Sequence, residues 1–170
     1  DGYMNETQVI INLISADEET LPDAYTALAA SAALSVSDIP WDGPISEVRV
    51  AKIGDDYVIN PERSILEKAS LELIVAATME NVMMVEGEAK ECSEKELIEA
   101  IKVAHDTIKV QCQAQLDLAQ KVGEKALVKR ELDLPEINEE IYNEIAELSK
   151  DKILDVSRAA LDKMSRKDRF

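Results

Sequence analysis

Leu71-Glu72-Leu73-Ile74-Val75-Ala76-Ala77-Thr78 is followed, after Met79-Glu80, by Asn81-Val82-Met83-Met84-Val85-Glu86, and shortly afterwards Ser93-Glu94-Lys95-Glu96 opens a pattern of a different period. The first two runs are apolar and joined by a very short turn, which predicts a pair of strands. Ser93 and Glu96 fit a capping box, in which the serine hydroxyl and the glutamate carboxylate each satisfy an orphan N–H at a helix start. Beyond it Leu97, Ile101, Ala104, Ile108, Cys112, Leu116 and Ala119 recur every three to four residues, so the spacing predicts one long amphipathic helix ending near Gly123. Strands followed by a long helix give an α+β chain.

Upstream, Ile45 to Ile53 and Tyr57 to Asn60 flank Gly54-Asp55-Asp56, a turn cluster, and form a second hairpin. Pro22 suits the first turn of a helix, where its missing N–H is harmless. The helix it opens, Pro22 to Ser37, is rich in alanine and can approach a sheet closely; Asp38-Ile39-Pro40 stops it. Val9-Ile10-Ile11-Asn12-Leu13-Ile14 is nearly continuous in apolar residues and predicts a buried strand. Downstream, the polar stretch Glu124 to Pro135 reads as a connector. Asn138 then caps a helical region with Ile141, Ile145, Leu148, Val156 and Leu161 on its apolar face, and Ser165 to Phe170 reads as a frayed tail. The expected organisation is residues 1–123 as the sheet-bearing part and residues 124–170 as connector and helical part. Because the chain opens Asp1-Gly2 only a few residues before the strand-like run, we expect it to be a segment of a longer protein.

Composition limits the functions available. Hydrophobic residues at 46% are enough to build a core in 170 residues. Thirty-five acidic residues against nineteen basic ones leave a net charge of −16, which repels phosphate backbones and excludes the basic footprint of an autonomous nucleic-acid binder. Cys92 and Cys112 lack metal-ligand spacing and suit a reducing, cytoplasmic setting. No apolar run reaches the roughly 18 residues that a membrane span needs.

The chemistry-bearing residues read mostly as structural. His105, the single histidine, lies on or beside the apolar face of the long helix without a second ligand, and reads as a packed or hydrogen-bonded side chain. Cys92 precedes a helix start but has no base partner. Glu86, Glu88 and Glu91 could share a divalent ion or form a solvated edge leading into the capped helix. Asp17-Glu18-Glu19 precede Pro22 and read as helix-capping carboxylates. Met79, Met83, Met84, Trp41 and Tyr57 supply apolar volume for a core or a subunit contact rather than a base-stacking platform, which would want exposed aromatics among Lys or Arg. No P-loop or Gly-x-Ser-x-Gly pattern is present.

Tyr3-Met4-Asn5-Glu6-Thr7-Gln8-Val9, Ala29-Ala30-Ser31-Ala32-Ala33-Leu34-Ser35, Ile39-Pro40-Trp41-Asp42-Gly43-Pro44-Ile45, Met84-Val85-Glu86-Gly87-Glu88-Ala89 and Gln111-Cys112-Gln113-Ala114-Gln115 occur in that order. The series resembles the second half of the first RNase PH-like repeat of bacterial polynucleotide phosphorylases, and residues after about Leu127 resemble the start of the all-helical domain that follows it. The resemblance implies an RNase PH-like half-domain, a mixed sheet with packed helices, followed by a helical segment. It also implies a parent that degrades RNA from the 3′ end with phosphate, a polyribonucleotide nucleotidyltransferase, assembled as a homotrimer around an RNA channel.

The same resemblance places the chemistry in the other repeat, where carboxylates of the pattern Asp-His-Leu-Gly-Asp-x-Asp-Phe-Lys hold magnesium and the lysine assists charge stabilisation. Laid on this chain, the aspartates fall on Leu66, Ser70 and Glu72 and the lysine on Ile74, so one carboxylate survives. The family's serine-rich phosphate turn is replaced by Asp17-Glu18-Glu19-Thr20-Leu21-Pro22. The expectation is no catalytic and no metal-binding residue here, with a residual ion site at Glu72 or Glu86 left open and no RNA-contacting residue named. The chain is expected to act as scaffold, trimer-forming element and channel wall; the alternative is a stand-alone non-catalytic RNase PH-like scaffold subunit of an RNA-degrading complex. Half a repeat should also leave a sheet edge bare, so self-association is expected.

Overall fold

The computed structural model describes residues 3–132 and 136–170. Met4–Leu132 forms one compact unit, and the helices that follow belong to a second. In the first unit a single 3-10 turn, Pro22–Tyr25, leads into α1 (Thr26–Ser35). Then come β1 (Ser46–Ile53), β2 (Asp56–Ile59), the one-turn α2 (Arg63–Leu66), β3 (Leu71–Ala77), β4 (Val82–Ala89), α3 (Glu94–Val122) and the short α4 (Glu124–Leu127).

The four strands form one sheet in the order β2-β1-β3-β4. All three pairings are antiparallel, so the mixed sheet expected of the fold is represented here by an antiparallel one, with tight hairpins joining β1 to β2 and β3 to β4 and a longer connection through β2 and α2 bringing β3 beside β1. Alternation along the strands then sorts the residues. Val48, Val50, Leu71, Leu73, Val75 and Ala77 share one face and are buried against Ala100, Ala104, Ile108 and Cys112 of α3. Each fully buried valine, leucine or isoleucine contributes about 1.5–3 kcal/mol, which makes this face the main core of the unit.

The expected elements appear with close boundaries, and the capping box is complete. The Ser93 hydroxyl accepts from the Glu96 N–H, the Glu96 carboxylate accepts from the Ser93 N–H at 2.9 Å, and α3 stops at Gly123. At Gly87 a side chain is excluded by the neighbouring strand, since a Cβ there would stand 2.0 Å from the carbonyl oxygen of Glu72. This close approach accounts for the glycine inside β4.

Two local expectations are corrected. Val9–Ile14 does not form a buried strand: the stretch has no regular structure and is exposed, Ile14 almost fully. Apolar β-branched composition favours extension, but a strand needs a neighbour to take up its N–H and C=O groups, and none of the described strands lies beside it. Ser165–Phe170 is not frayed. Asp162 accepts from the N–H groups of Met164 and Ser165 and so caps α6 (Lys163–Arg169).

Residues 124–132, the start of the expected connector, are fastened to the first unit. Lys129 Nζ donates to the carbonyls of Ser35 and Ser37 at 3.2 and 2.6 Å, placing a cation on the C-terminal end of α1. The Arg130 N–H donates to the Asp38 carbonyl, and its guanidinium meets the Asp38 carboxylate at 2.5 Å. The connector's end, residues 133–135, lies outside the described residues. In the second unit Asn138 caps α5 (Glu139–Arg158) as expected, with its side chain accepting from the Ile141 N–H; Ile141, Ile145 and Leu148 are exposed.

Candidate functional site

The residues that occupy the catalytic positions of the related pattern converge. Leu66 at the end of α2, Ser70 before β3 and Glu72 within it line a cleft of about 500 Å³, with Arg63, Glu88 and Lys90 on its rim. Ile74, at the lysine position, follows Glu72 on the same sheet face and is half-buried. The strand alternation also sets Glu86 and Glu88 on that face, Glu88 directly across from Glu72 and Glu86 across from Ile74.

Glu72 is engaged. Arg49 of β1, whose neighbours Val48 and Val50 point into the core, projects from the opposite face and pairs with the Glu72 carboxylate through Nη1. Its Nη2 reaches Asp23 at 2.5 Å, tying the 3-10 turn to the sheet. Arg49 is only 8% exposed, so its charge requires these two carboxylates. Next along the same face Glu47 accepts from the Thr26 hydroxyl at 2.7 Å and the Ala27 N–H at 3.1 Å, capping α1 from outside the helix.

The acidic loop before the turn is also occupied internally. Asp17 accepts from the N–H groups of Glu19 and Thr20 and from the Thr20 hydroxyl, and the bonds from the Thr20 N–H and then its hydroxyl hold its pKa below the usual carboxylate range. Glu19 accepts from the Ser64 N–H at 3.0 Å, which, ahead of the charge of Arg63, lowers its pKa as well. The Arg63 N–H and Nε–H donate to the Glu19 and Glu18 carbonyls. Helix capping accounts for this cluster only in part: Glu19 caps α2, a helix elsewhere in the chain, while Asp17 closes its own turn.

In the cleft Glu72 is held by Arg49, while the Arg63 Nε–H and Lys90 Nζ donate to the carbonyls of Glu18 and Ala69. The arrangement does not suit a magnesium ion. Of the aligned ligand positions only 72 carries a carboxylate, and that oxygen is held by Arg49; among the described residues no group of three or more His, Cys, Asp or Glu side chains could hold a metal.

The other residues singled out from the sequence lie apart from the cleft. His105 Nε2 bonds the Thr78 carbonyl at 3.0 Å and pins the β3–β4 turn to α3, the hydrogen-bonded role expected of it. Cys112 is buried, and burial pushes its thiol pKa up. Met79 and Tyr57 pack on the core, whereas Met83 and Met84 stand exposed on the sheet edge. Arg49 and Asp23, which organise the site, were not anticipated. The available signal was an arginine in the middle of the alternating strand Glu47-Val48-Arg49-Val50, a charge on a face that something had to cover.

Residues 43–107, from the cis Gly43-Pro44 bond through the sheet into α3, match the model for domain 2 of the 3′ exoribonuclease family. Over its full length the chain is 49% identical to a polyribonucleotide nucleotidyltransferase of Parabacteroides distasonis, of which it covers 22%, and 50% identical to one of Bacteroides fragilis, of which it covers 24%. The chain matches a fragment of the polyribonucleotide nucleotidyltransferases. It is also 55% identical to the Porphyromonas gingivalis member across 82% of its own length and 18% of that protein. The chain thus spans less than a quarter of the length of these relatives. The stretch that matches domain 2, residues 43–107, contains Glu72 and all the other residues that line the cleft.

Proposed function

We propose that the chain is a fragment of a polyribonucleotide nucleotidyltransferase, the second half of its non-catalytic repeat with the start of the helical domain that follows, serving as scaffold, trimer-forming element and channel wall for a parent enzyme that releases nucleoside diphosphates from the 3′ end of RNA with phosphate. The relatives carry the name of that enzyme. The parent would act on RNA in the cytoplasm as a homotrimer, with magnesium held by the other repeat. Among the described residues no helix is long and apolar enough to cross a membrane.

The observation that carries the assignment is the internal engagement of Glu72 in the cleft and of the acidic loop before the 3-10 turn. Glu72 is committed to Arg49 and the Asp17–Thr20 turn to its own carboxylate, so the groups that would hold a metal and an attacking phosphate are filled or replaced. An oxyanion brought to this loop would meet acidic side chains, which oppose phosphate binding.

The test is phosphorolysis of a 3′-labelled oligoribonucleotide with phosphate and magnesium by the 170-residue chain. No nucleoside diphosphate should be released. Turnover that is abolished by Glu72→Gln would overturn the assignment and place a working site in this cleft.

A further inference from the structure

α6 inverts the charge of the chain. It carries Lys163, Arg166, Lys167 and Arg169 against the single carboxylate of Asp168, in a sequence whose net charge is −16. All four cations are exposed, and among the described residues none of them meets a carboxylate in an ion pair. The Phe170 N–H donates to the Arg166 carbonyl at 3.2 Å, so the helical turn carries through to Phe170. This is the only phenylalanine of the chain, and it is 66% exposed.

Residues three, four and seven apart on a helix share a face, and Lys163, Arg166, Lys167 and Phe170 have that spacing. Arg169, three residues after Arg166, widens the face. Asp168 lies one or two positions from Arg166, Lys167 and Phe170 and so turns elsewhere. Asp162 is engaged by the N–H groups of Met164 and Ser165. We propose that this face of α6 is a contact for single-stranded RNA, in which Lys163, Arg166 and Lys167 neutralise backbone phosphates and the Phe170 ring stacks on a base.

The helix dipole accounts for part of the charge, since Arg166, Lys167 and Arg169 sit in the last turn. It does not account for Lys163, which occupies the first helical position, where the dipole disfavours a cation. Nor does it account for an exposed ring among the cations, the combination that a base-stacking contact needs. An acidic protein surface would complement the cations alone. RNA complements all of these side chains, because each nucleotide offers a phosphate to a cation and a flat face to the ring. The acidic remainder of the chain repels the backbone beyond this patch, so the contact is weak and steeply salt-dependent. The choice of RNA as the occupant rests on the function proposed above.

Fluorescence anisotropy of a labelled oligouridylate titrated with the 170-residue chain, in the absence of phosphate and magnesium, tests the contact. Binding should be measurable at about 50 mM salt and fall as salt rises, log K declining by about 2 per tenfold increase for three neutralised phosphates. Arg166→Gln and Lys167→Gln should each reduce that slope by about 0.7. Phe170→Ala should weaken binding about tenfold and leave the slope unchanged, whereas Phe170→Tyr should retain the affinity. These side chains are on the surface, and circular dichroism of each variant checks that the fold is intact. No binding at about 50 mM salt, or binding indifferent to the charge variants or to Phe170→Ala, would overturn the proposal. A labelled polyglutamate peptide that binds as tightly as the RNA, with no loss in Phe170→Ala, would overturn it in favour of an acidic protein partner. The two readings fail separately: a chain that binds no RNA loses the α6 contact, while release of nucleoside diphosphate in the phosphorolysis test removes the non-catalytic assignment.

Discussion

Lys52 on β1 and Glu96 in the first turn of α3 meet at 2.6 Å, so the residue that closes the capping box also ties the long helix to the sheet. The Lys52 ammonium, followed by the Ser93 N–H and hydroxyl, pulls the Glu96 pKa from 4.5 to about 2. A carboxylate whose pKa is lower in the folded state than in the unfolded one stabilises the fold above the unfolded value and loses that contribution as pH falls through the folded value. Stability should therefore drop between pH 4.5 and about 2 as Glu96 takes up its proton. Urea unfolding across that range, followed by Trp41 fluorescence, should show a shallower pH dependence in Glu96→Gln. Identical slopes in the two proteins would remove Glu96 as the source.

The same pair acts at the alkaline end. The hydrogen bond to Glu96 raises the Lys52 pKa above 10.5. A raised cationic pKa stabilises the fold fully below 10.5 and ceases to do so as pH rises through the folded value. Lys52→Met should flatten this alkaline loss, as read by thermal melts between neutral pH and the alkaline limb.

Arg49→Leu should destabilise the first unit by about 3 kcal/mol, because it leaves Glu72 at the sheet face without its cation. Replacing Glu72 by glutamine as well should recover much of the loss, since the uncompensated charge goes with it. Chemical denaturation of the two single variants and the double variant measures the coupling; additive losses would mean that the two side chains do not act as a pair.

Gly87→Ala should cost about 3 kcal/mol, because its Cβ meets backbone rather than a movable side chain. Amide exchange should quicken along β3 and β4 more than in α3. Unchanged protection in β4 would show that the strands can part without cost.

Lys129→Ala should loosen the end of α1 by about 1 kcal/mol, the scale of a cation at a helix C-terminus. The effect should appear as faster exchange of amides near Ser35. Lys129→Arg should retain most of the protection, as it keeps the charge at the carbonyls.

Local signals carried much of the fold. Ser93 and Glu96 specify the start of α3 within four consecutive residues, the spacing of Leu97, Ala104, Ile108 and Cys112 specifies its buried face, and Gly54 and Asp55 mark the β1–β2 turn. These devices are complete within one or two turns of chain, so composition and spacing reveal them. The run Val9–Ile14 shows the limit of that reading, since its β-branched residues favour extension but cannot provide the neighbouring strand that would make them a sheet.

By itself the sequence determined the α+β class, the caps and the family likeness. Only the tertiary structure decided what became of the charges. Asp23, Arg49 and Glu72 lie far apart along the chain, and nothing in their spacing announces an ion triad. A buried guanidinium draws carboxylates from whichever elements packing brings within reach, because desolvation makes an unpaired charge costly. That demand, settled only when the 3-10 turn packs against the sheet, makes Glu72 a structural partner of Arg49.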